Sequence, residues 1–261
     1  MKKIAVVLTA VAIAAMFTGC AKKTQVKING IADLEGKKIG VQTGTTGDTW
    51  CQESSKAKEI AGFKSGMDAA LDLKNGAIDA IVLDELPALS IVSKNSDLKI
   101  IRDPYFSENK EEYAIAIKKG NDVLLNSINK TIADMKANGD YEKLVNAFMP
   151  ADGEIKIPAD VSPASASGTI KLGTNAAFPP FEYVEGTEFA GFDITMGQYI
   201  AKNLSNKLEV VNMEFDSLIP ALQAGTIDFI AAGMSVTEER KKNVDFSDPY
   251  FASEQVIIVR K

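Results

Sequence analysis

Leu73-Lys74-Asn75-Gly76-Ala77-Ile78-Asp79-Ala80-Ile81 and Leu222-Gln223-Ala224-Gly225-Thr226-Ile227-Asp228-Phe229-Ile230 repeat one pattern in the two halves of the chain. Each reads as a helix end, a glycine that stops the helix, and a short apolar strand; the first strand is expected over residues 77–83. A second echo, Asp103-Pro104-Tyr105-Phe106 and Asp248-Pro249-Tyr250-Phe251, precedes two apolar strands that end in basic residues, 114–119 and 256–261. Two similar α/β segments predict a pair of lobes with a cleft between them, and clefts between domains are preferred ligand sites.

Outward from these repeats, Lys38-Ile39-Gly40-Val41 reads as a strand running into the turn Gln42-Thr43-Gly44-Thr45-Thr46-Gly47-Asp48. Asn121 can cap a helix that runs to Asn138-Gly139, with Val123, Leu124, Ile128, Ile132 and Met135 on one stripe. A second helix is expected over 141–148. Residues 149–168 hold Pro150, Pro158, Pro163 and the run Ala164-Ser165-Ala166-Ser167-Gly168, the composition of a linker. Thr169-Ile170-Lys171-Leu172 then opens a fresh α/β segment.

The N-terminus bears on the compartment. Lys2 and Lys3 precede an apolar run, 4–16, shorter than the roughly 20 residues that span a bilayer and suited to a signal-peptide core. It leads into Phe17-Thr18-Gly19-Cys20, which resembles the lipobox of bacterial lipoproteins, with Phe17 where Leu is usual. That resemblance implies cleavage before Cys20 and a lipid on its thiol; the alternative is an ordinary secretory signal. The net charge of −6 argues against a nucleic-acid partner. The chain has no histidine, which removes His-based acid–base catalysis, Ser/His triads and most zinc sites. No metal or cofactor is expected. With Cys20 lipidated, Cys51 has no partner and is expected to be structural.

Three segments suit a small polar ligand. Thr174-Asn175-Ala176-Ala177-Phe178-Pro179-Pro180-Phe181-Glu182-Tyr183 is a proline-stiffened loop in which Phe178 can offer a ring face. In Gly233-Met234-Ser235-Val236-Thr237-Glu238-Glu239-Arg240, Thr237 is a plausible N-cap. Arg240 then lies in a first helical turn, where a cation opposes the helix dipole; either a ligand carboxylate or a neighbouring Glu would balance it. The turn 42–48 offers hydroxyls and amides at a helix start but lacks the Gly-Lys-Ser/Thr ending of a phosphate loop. Asp84 closes the strand at 80–83, at the carboxyl end where open α/β sheets bind ligands. An anion site and a cation site across one cleft describe a zwitterionic amino acid.

These stretches, together with residues 215–225, resemble family 3 of the extracellular solute-binding proteins, the amino-acid-binding components of ABC-type importers. The resemblance implies a two-lobe, type II periplasmic-binding-protein-like α/β fold. It implies that Arg240 clamps the ligand α-carboxylate with the backbone N–H groups of Ser235 and Thr46. Asp84 would bind the α-ammonium, helped by the Gly233 carbonyl and the Ser235 hydroxyl, with Met234 between them. Phe178 and Phe215 would sandwich the side chain, whose end Asn175 and Gln42 would read. Asn175 stands where relatives that bind cationic side chains often have Asp, while Thr46 is like the basic-residue binders, so arginine-like and glutamine-like ligands are both expected.

The family order of the halves is reversed here, so the chain resembles a circular permutation. The expected organisation is a signal peptide at 1–19, a lipidated spacer at 20–25, one lobe at 26–110, a crossing strand at 111–119 and helices packing on the other lobe at 120–149. A linker at 150–168, the other lobe at 169–254 and a second crossing strand at 255–261 complete it. Only the strand around 113–118 is expected to link the lobes covalently, with 256–259 docking non-covalently.

The resemblance implies a lipid-anchored carrier in the periplasm or on the outer face of the cytoplasmic membrane. Its partners would be a free amino acid, the membrane permease of an ABC importer and the membrane through its anchor, and it would act as a monomer or a domain-swapped dimer. An enzyme is not expected. The alternatives are a cyclohexadienyl-dehydratase-like enzyme, for which Glu182 is the one nearby acid, and a ligand-presenting sensor component.

Overall fold

The computed structural model describes residues 27–150, 154–163 and 165–261. The expected signal peptide, Cys20 and the spacer lie outside the described residues.

The first half alternates strand and helix: β1 (Lys38–Gln42), α1 (Thr46–Ser54), β2 (Glu59–Phe63), α2 (Gly66–Asn75), β3 (Ala80–Asp84), α3 (Glu85–Lys94), β4 (Leu98–Ile101) and α4 (Pro104–Glu108). Two short strands, β5 (Glu111–Tyr113) and β6 (Ala116–Lys118), lead to α5 (Asp122–Asn138) and α6 (Asp140–Phe148). The second half begins with β7 (Gly168–Thr174), β8 (Ala177–Phe178), β9 (Glu182–Glu185), β10 (Glu188–Ala190) and α7 (Phe192–Asn203). It ends with β11 (Asn206–Asn212), α8 (Leu218–Ala224), β12 (Phe229–Ile230), α9 (Glu238–Lys241), β13 (Val244–Phe246), β14 (Phe251–Ser253) and β15 (Gln255–Arg260).

Two five-stranded sheets share one plan, β2-β1-β3-β15-β4 and β11-β7-β12-β6-β13. In each, the first three strands are parallel and the fourth is antiparallel to both its neighbours. That fourth strand comes from the other half of the sequence. β15 enters the sheet built by residues 38–101, and β6 enters the sheet built by residues 168–246. Helices α5 and α6 follow β6 and pack on α7 of the second lobe.

The sequence repeat does the same physical work twice. Gly76 and Gly225 both end their helices in the left-handed conformation, at φ 72° and 75°, where a side chain would be strained. Asp79 then accepts the Lys38 N–H at 3.0 Å and Asp228 accepts the Lys171 N–H at 2.7 Å, fastening each turn to the neighbouring parallel strand. The isoleucine between glycine and aspartate packs onto a strand glycine: a Cβ on Gly40 would overlap Ile78 Cδ1, and one on Gly173 would overlap Ile227 Cδ1.

Several expectations are corrected. The first repeat's strand begins at Ala80 rather than residue 77, because 76–79 are occupied by the turn that Asp79 ties down. Val123 is 83% exposed and leaves the α5 stripe, which buries Ile128, Ile132 and Met135. Asp103-Pro104-Tyr105-Phe106 starts helix α4, with Asp103 capping the Tyr105 N–H, whereas Asp248-Pro249-Tyr250-Phe251 runs straight into β14. Two covalent segments, not one, join the lobes. The chain leaves β13, pairs β14 with β5 in an antiparallel ribbon, and continues unbroken into β15. The crossing therefore lies at 247–254, and the strand expected to cross at 255–261 is an inner strand of the first sheet.

Candidate functional site

The ribbon of β5 and β14 sets the two sheets around one narrow cavity, with a free volume of about 10 Å³. The first lobe supplies Gln42, Thr45, Thr46 and Asp84; the second supplies Phe178, Glu182, Phe215, Ala232, Gly233, Ser235 and Arg240.

Each side chain is placed by a local device. Gln42 is the last residue of β1. Gly44, at φ 79°, turns the chain so that Thr45 can cap α1: its hydroxyl oxygen accepts the Asp48 N–H at 3.2 Å and donates to the Gln42 carbonyl at 2.8 Å. Thr46 therefore opens α1 at the cavity wall. Thr237 caps α9 through the Arg240 N–H at 3.2 Å, so that amide is used within the turn and the site depends on the guanidinium. Arg240 donates from Nη1 to the Ser235 carbonyl at 2.7 Å and from Nη2 across the cleft to the Gly44 carbonyl at 3.1 Å. Its guanidinium carbon lies 5.3 Å from the Phe215 ring centre, within cation–π range. Burial lowers the Arg240 pKa, opposed by the carboxylates of Glu111 and Asp84.

Asp84 ends β3, buried at the opposite side. Its Oδ1 accepts the Tyr113 hydroxyl at 2.5 Å and the Ser253 hydroxyl at 3.3 Å. Burial, and then repulsion from Glu111, push its pKa up to about 7, against the pull of these hydrogen bonds. At the far end, Gln42 Nε2 donates to Asn175 Oδ1 at 3.0 Å and Asn175 Nδ2 donates to the Met213 carbonyl at 2.7 Å. Gln42 Oε1 is buried without a hydrogen-bond partner, an acceptor that costs free energy until a donor arrives.

Behind Phe178 lies a second acidic pair. Asp193 Oδ2 accepts the Gly233 N–H at 2.8 Å and the Tyr250 hydroxyl at 2.7 Å. Burial pushes Asp193 up to about 6. Glu182 is raised well above the usual carboxylate range by burial, then by the charge of Asp193.

Of the residues singled out from sequence, Gln42, Thr46, Asp84, Phe178, Phe215, Gly233, Ser235 and Arg240 line the cavity, and Asn175 reaches it through Gln42. Met234 does not line it; it is buried beneath with Leu218, Leu222 and Val244, and its carbonyl accepts the Ala114 N–H at 3.1 Å. Sequence reasoning missed Thr45, Ala232, Glu111 and Gln255. Thr45 had a readable signal, a capping threonine three residues before Asp48. Glu111 and Gln255 had none, because the pairing of β5 with β14 and of β15 with β3 brings them to the cleft.

Residues 170–261 match the profile of the family described as bacterial extracellular solute-binding proteins, family 3. The arginine-binding extracellular protein ArtP of Bacillus subtilis is 44% identical over 99 residues, 37% of this chain and 39% of that protein. The L-cystine-binding protein TcyJ of Escherichia coli is 34% identical over 120 residues, 46% of this chain and 44% of that protein. A solved ancestral arginine-binding protein bound to arginine is 55% identical over 32% of this chain and 38% of that one, at a TM-score of 0.32. The chain thus spans about two fifths of the length of the curated relatives it matches. Residues 170–261 are thus similar to family 3 of the bacterial extracellular solute-binding proteins.

Proposed function

We propose that this chain captures a polar or basic amino acid between its lobes and delivers it to the membrane permease of an ABC-type importer, outside the cytoplasm. Asp84 and Arg240 support this most directly: opposite charges, on opposite lobes, face one cavity between Phe178 and Phe215. A zwitterion bridging them favours the closed arrangement, because only there do both lobes touch it. Arg240 takes the α-carboxylate with the Ser235 and Thr46 amides, and Asp84 takes the α-ammonium. Gln42 Oε1 asks for a side chain that ends in N–H donors, as arginine and glutamine both do. The relatives, an arginine-binding and an L-cystine-binding protein, favour the amino-acid class.

The reading includes a circularly permuted order and a lipid anchor at Cys20. A family match confined to 170–261, preceded by a lobe with the same sheet plan, supports the permuted order.

Calorimetric titration of the chain from residue 21 onward against the twenty amino acids, ornithine and cystine tests the function. Saturable micromolar or tighter binding of one polar or basic amino acid is expected. A folded protein that binds none of them overturns the reading.

One observation favours an enzyme as a second reading: Glu182 lines the cavity with its pKa raised by burial, the direction a general acid needs. Recovery of every bound amino acid chemically unchanged decides against it.

A further inference from the structure

Glu111 lies on β5, in the ribbon where the chain crosses between lobes, and no step above uses it. Its Oε2 accepts the Thr46 hydroxyl at 2.6 Å from one lobe and the Ser235 hydroxyl at 2.5 Å from the other. Gln255 Nε2, on β15, donates to its Oε1 at 3.2 Å and reaches Thr46 Oγ1 at 3.4 Å. The charge of Glu111 raises the pKa of the buried Asp84, because like charges repel, so a carboxylate at this position carries a cost. Its position needs a reason.

We propose that Glu111 is the positioning residue for closure: a carboxylate on the crossing ribbon that staples Thr46 to Ser235 and so holds the two lobes together around the ligand. The geometry gives it two effects. Only when the lobes are closed can one carboxylate oxygen take both hydroxyl protons, so the bonds belong to the closed state and bias the lobes toward it. By taking the Ser235 proton, Glu111 also leaves the Ser235 oxygen with lone pairs alone to offer a ligand ammonium. It therefore prepares the cation side of the site without touching the carboxylate side, where Arg240 works. This inference rests on the amino-acid-binding reading for its ligand effects and on the cross-lobe geometry alone for closure.

The test uses the full chain, with Glu111→Gln and, as a second route to the same bond, Thr46→Val, which keeps the volume and the backbone N–H. Small-angle scattering without ligand is expected to give a larger radius of gyration for both variants than for the parent. Stopped-flow binding of the amino acid found by titration is expected to show dissociation about tenfold faster or more, from loss of a charge-assisted bond, with association little changed. The double variant is expected to add nothing to either single one, the signature of a shared interaction. Glu111→Gln that stays as compact as the parent and releases ligand no faster overturns the proposal. So does tighter binding, which would make Glu111 a competitor of the ligand. If the parent binds no amino acid, the function reading falls, and the scattering comparison alone decides the staple.

Discussion

Tyr113 donates its hydroxyl to Asp84 Oδ1 at 2.5 Å, from the crossing ribbon to the end of β3. Asp84 must be ionised to hold an ammonium, yet burial and Glu111 push its pKa up to about 7, and Tyr113 is among the groups pulling it back down. Amino-acid affinity is therefore expected to rise as pH increases from 5.5 toward 8, by about tenfold per unit below the Asp84 pKa. Tyr113→Phe should shift that rise to higher pH. Titrations at half-unit intervals check both, and a flat profile for the parent tells against Asp84 as the ammonium site.

The same shift has a consequence for stability, with the opposite sign. Asp84, Asp193 and Glu182 have folded-state pKa values above their unfolded ones. Between those values the fold binds more protons than the unfolded chain, so stability falls as pH rises. The loss begins near the ordinary carboxylate pKa and continues through about 6 for Asp193 and about 7 for Asp84. The ligand-free protein should thus melt at a higher temperature at pH 5 than at pH 8. Asp84→Asn, which removes one of the titrating groups, should narrow that gap in a calorimetric scan.

Gly173 sits under Ile227 as Gly40 sits under Ile78. Gly173→Ala forces the Ile227 side chain aside in a packed core and is expected to cost about 1–3 kcal/mol in urea denaturation. Ile227→Val removes the Cδ1 atom that the new methyl meets, so the double variant should recover part of that loss. Full additivity of the two losses would mean that the glycine matters for another reason.

How much of this was legible in the sequence depends on range. The Gly-x-Ile-Asp repeat was readable because its work is local: a left-handed cap, a carboxylate on the next strand and an isoleucine over a glycine. The Asp-Pro-Tyr-Phe repeat misled, since Asp103 finds the amide of Tyr105 and starts a helix, while Asp248 is followed by Tyr250, whose hydroxyl reaches Asp193 and whose N–H donates to the Tyr113 carbonyl at 2.9 Å. Val123 fitted a helical stripe that its own end of α5 does not bury. Most cavity residues were visible as loop motifs; Glu111 and Gln255 were not, because pairing of β5 with β14, and of β15 with β3, brings together residues far apart in the chain.

Arg240 offers the sharpest mutational test, because its two bonds separate charge from shape. Nη1 holds the Ser235 carbonyl within its own lobe and Nη2 reaches the Gly44 carbonyl on the other, while the planar group lies over Phe215. Lysine keeps the charge but has no planar fork to satisfy both carbonyls and grip a carboxylate at once. Arg240→Lys is therefore expected to weaken amino-acid binding by about tenfold or more. Arg240→Ala, which also strips the carboxylate subsite of its cation, should weaken it by about 100-fold or more. Both are measured by calorimetric titration at pH 8, where Asp84 is ionised, so that neither loss is confused with protonation across the cleft. Arg240→Lys binding within twofold of the parent would leave charge alone as the requirement and remove the fork from the account of the site.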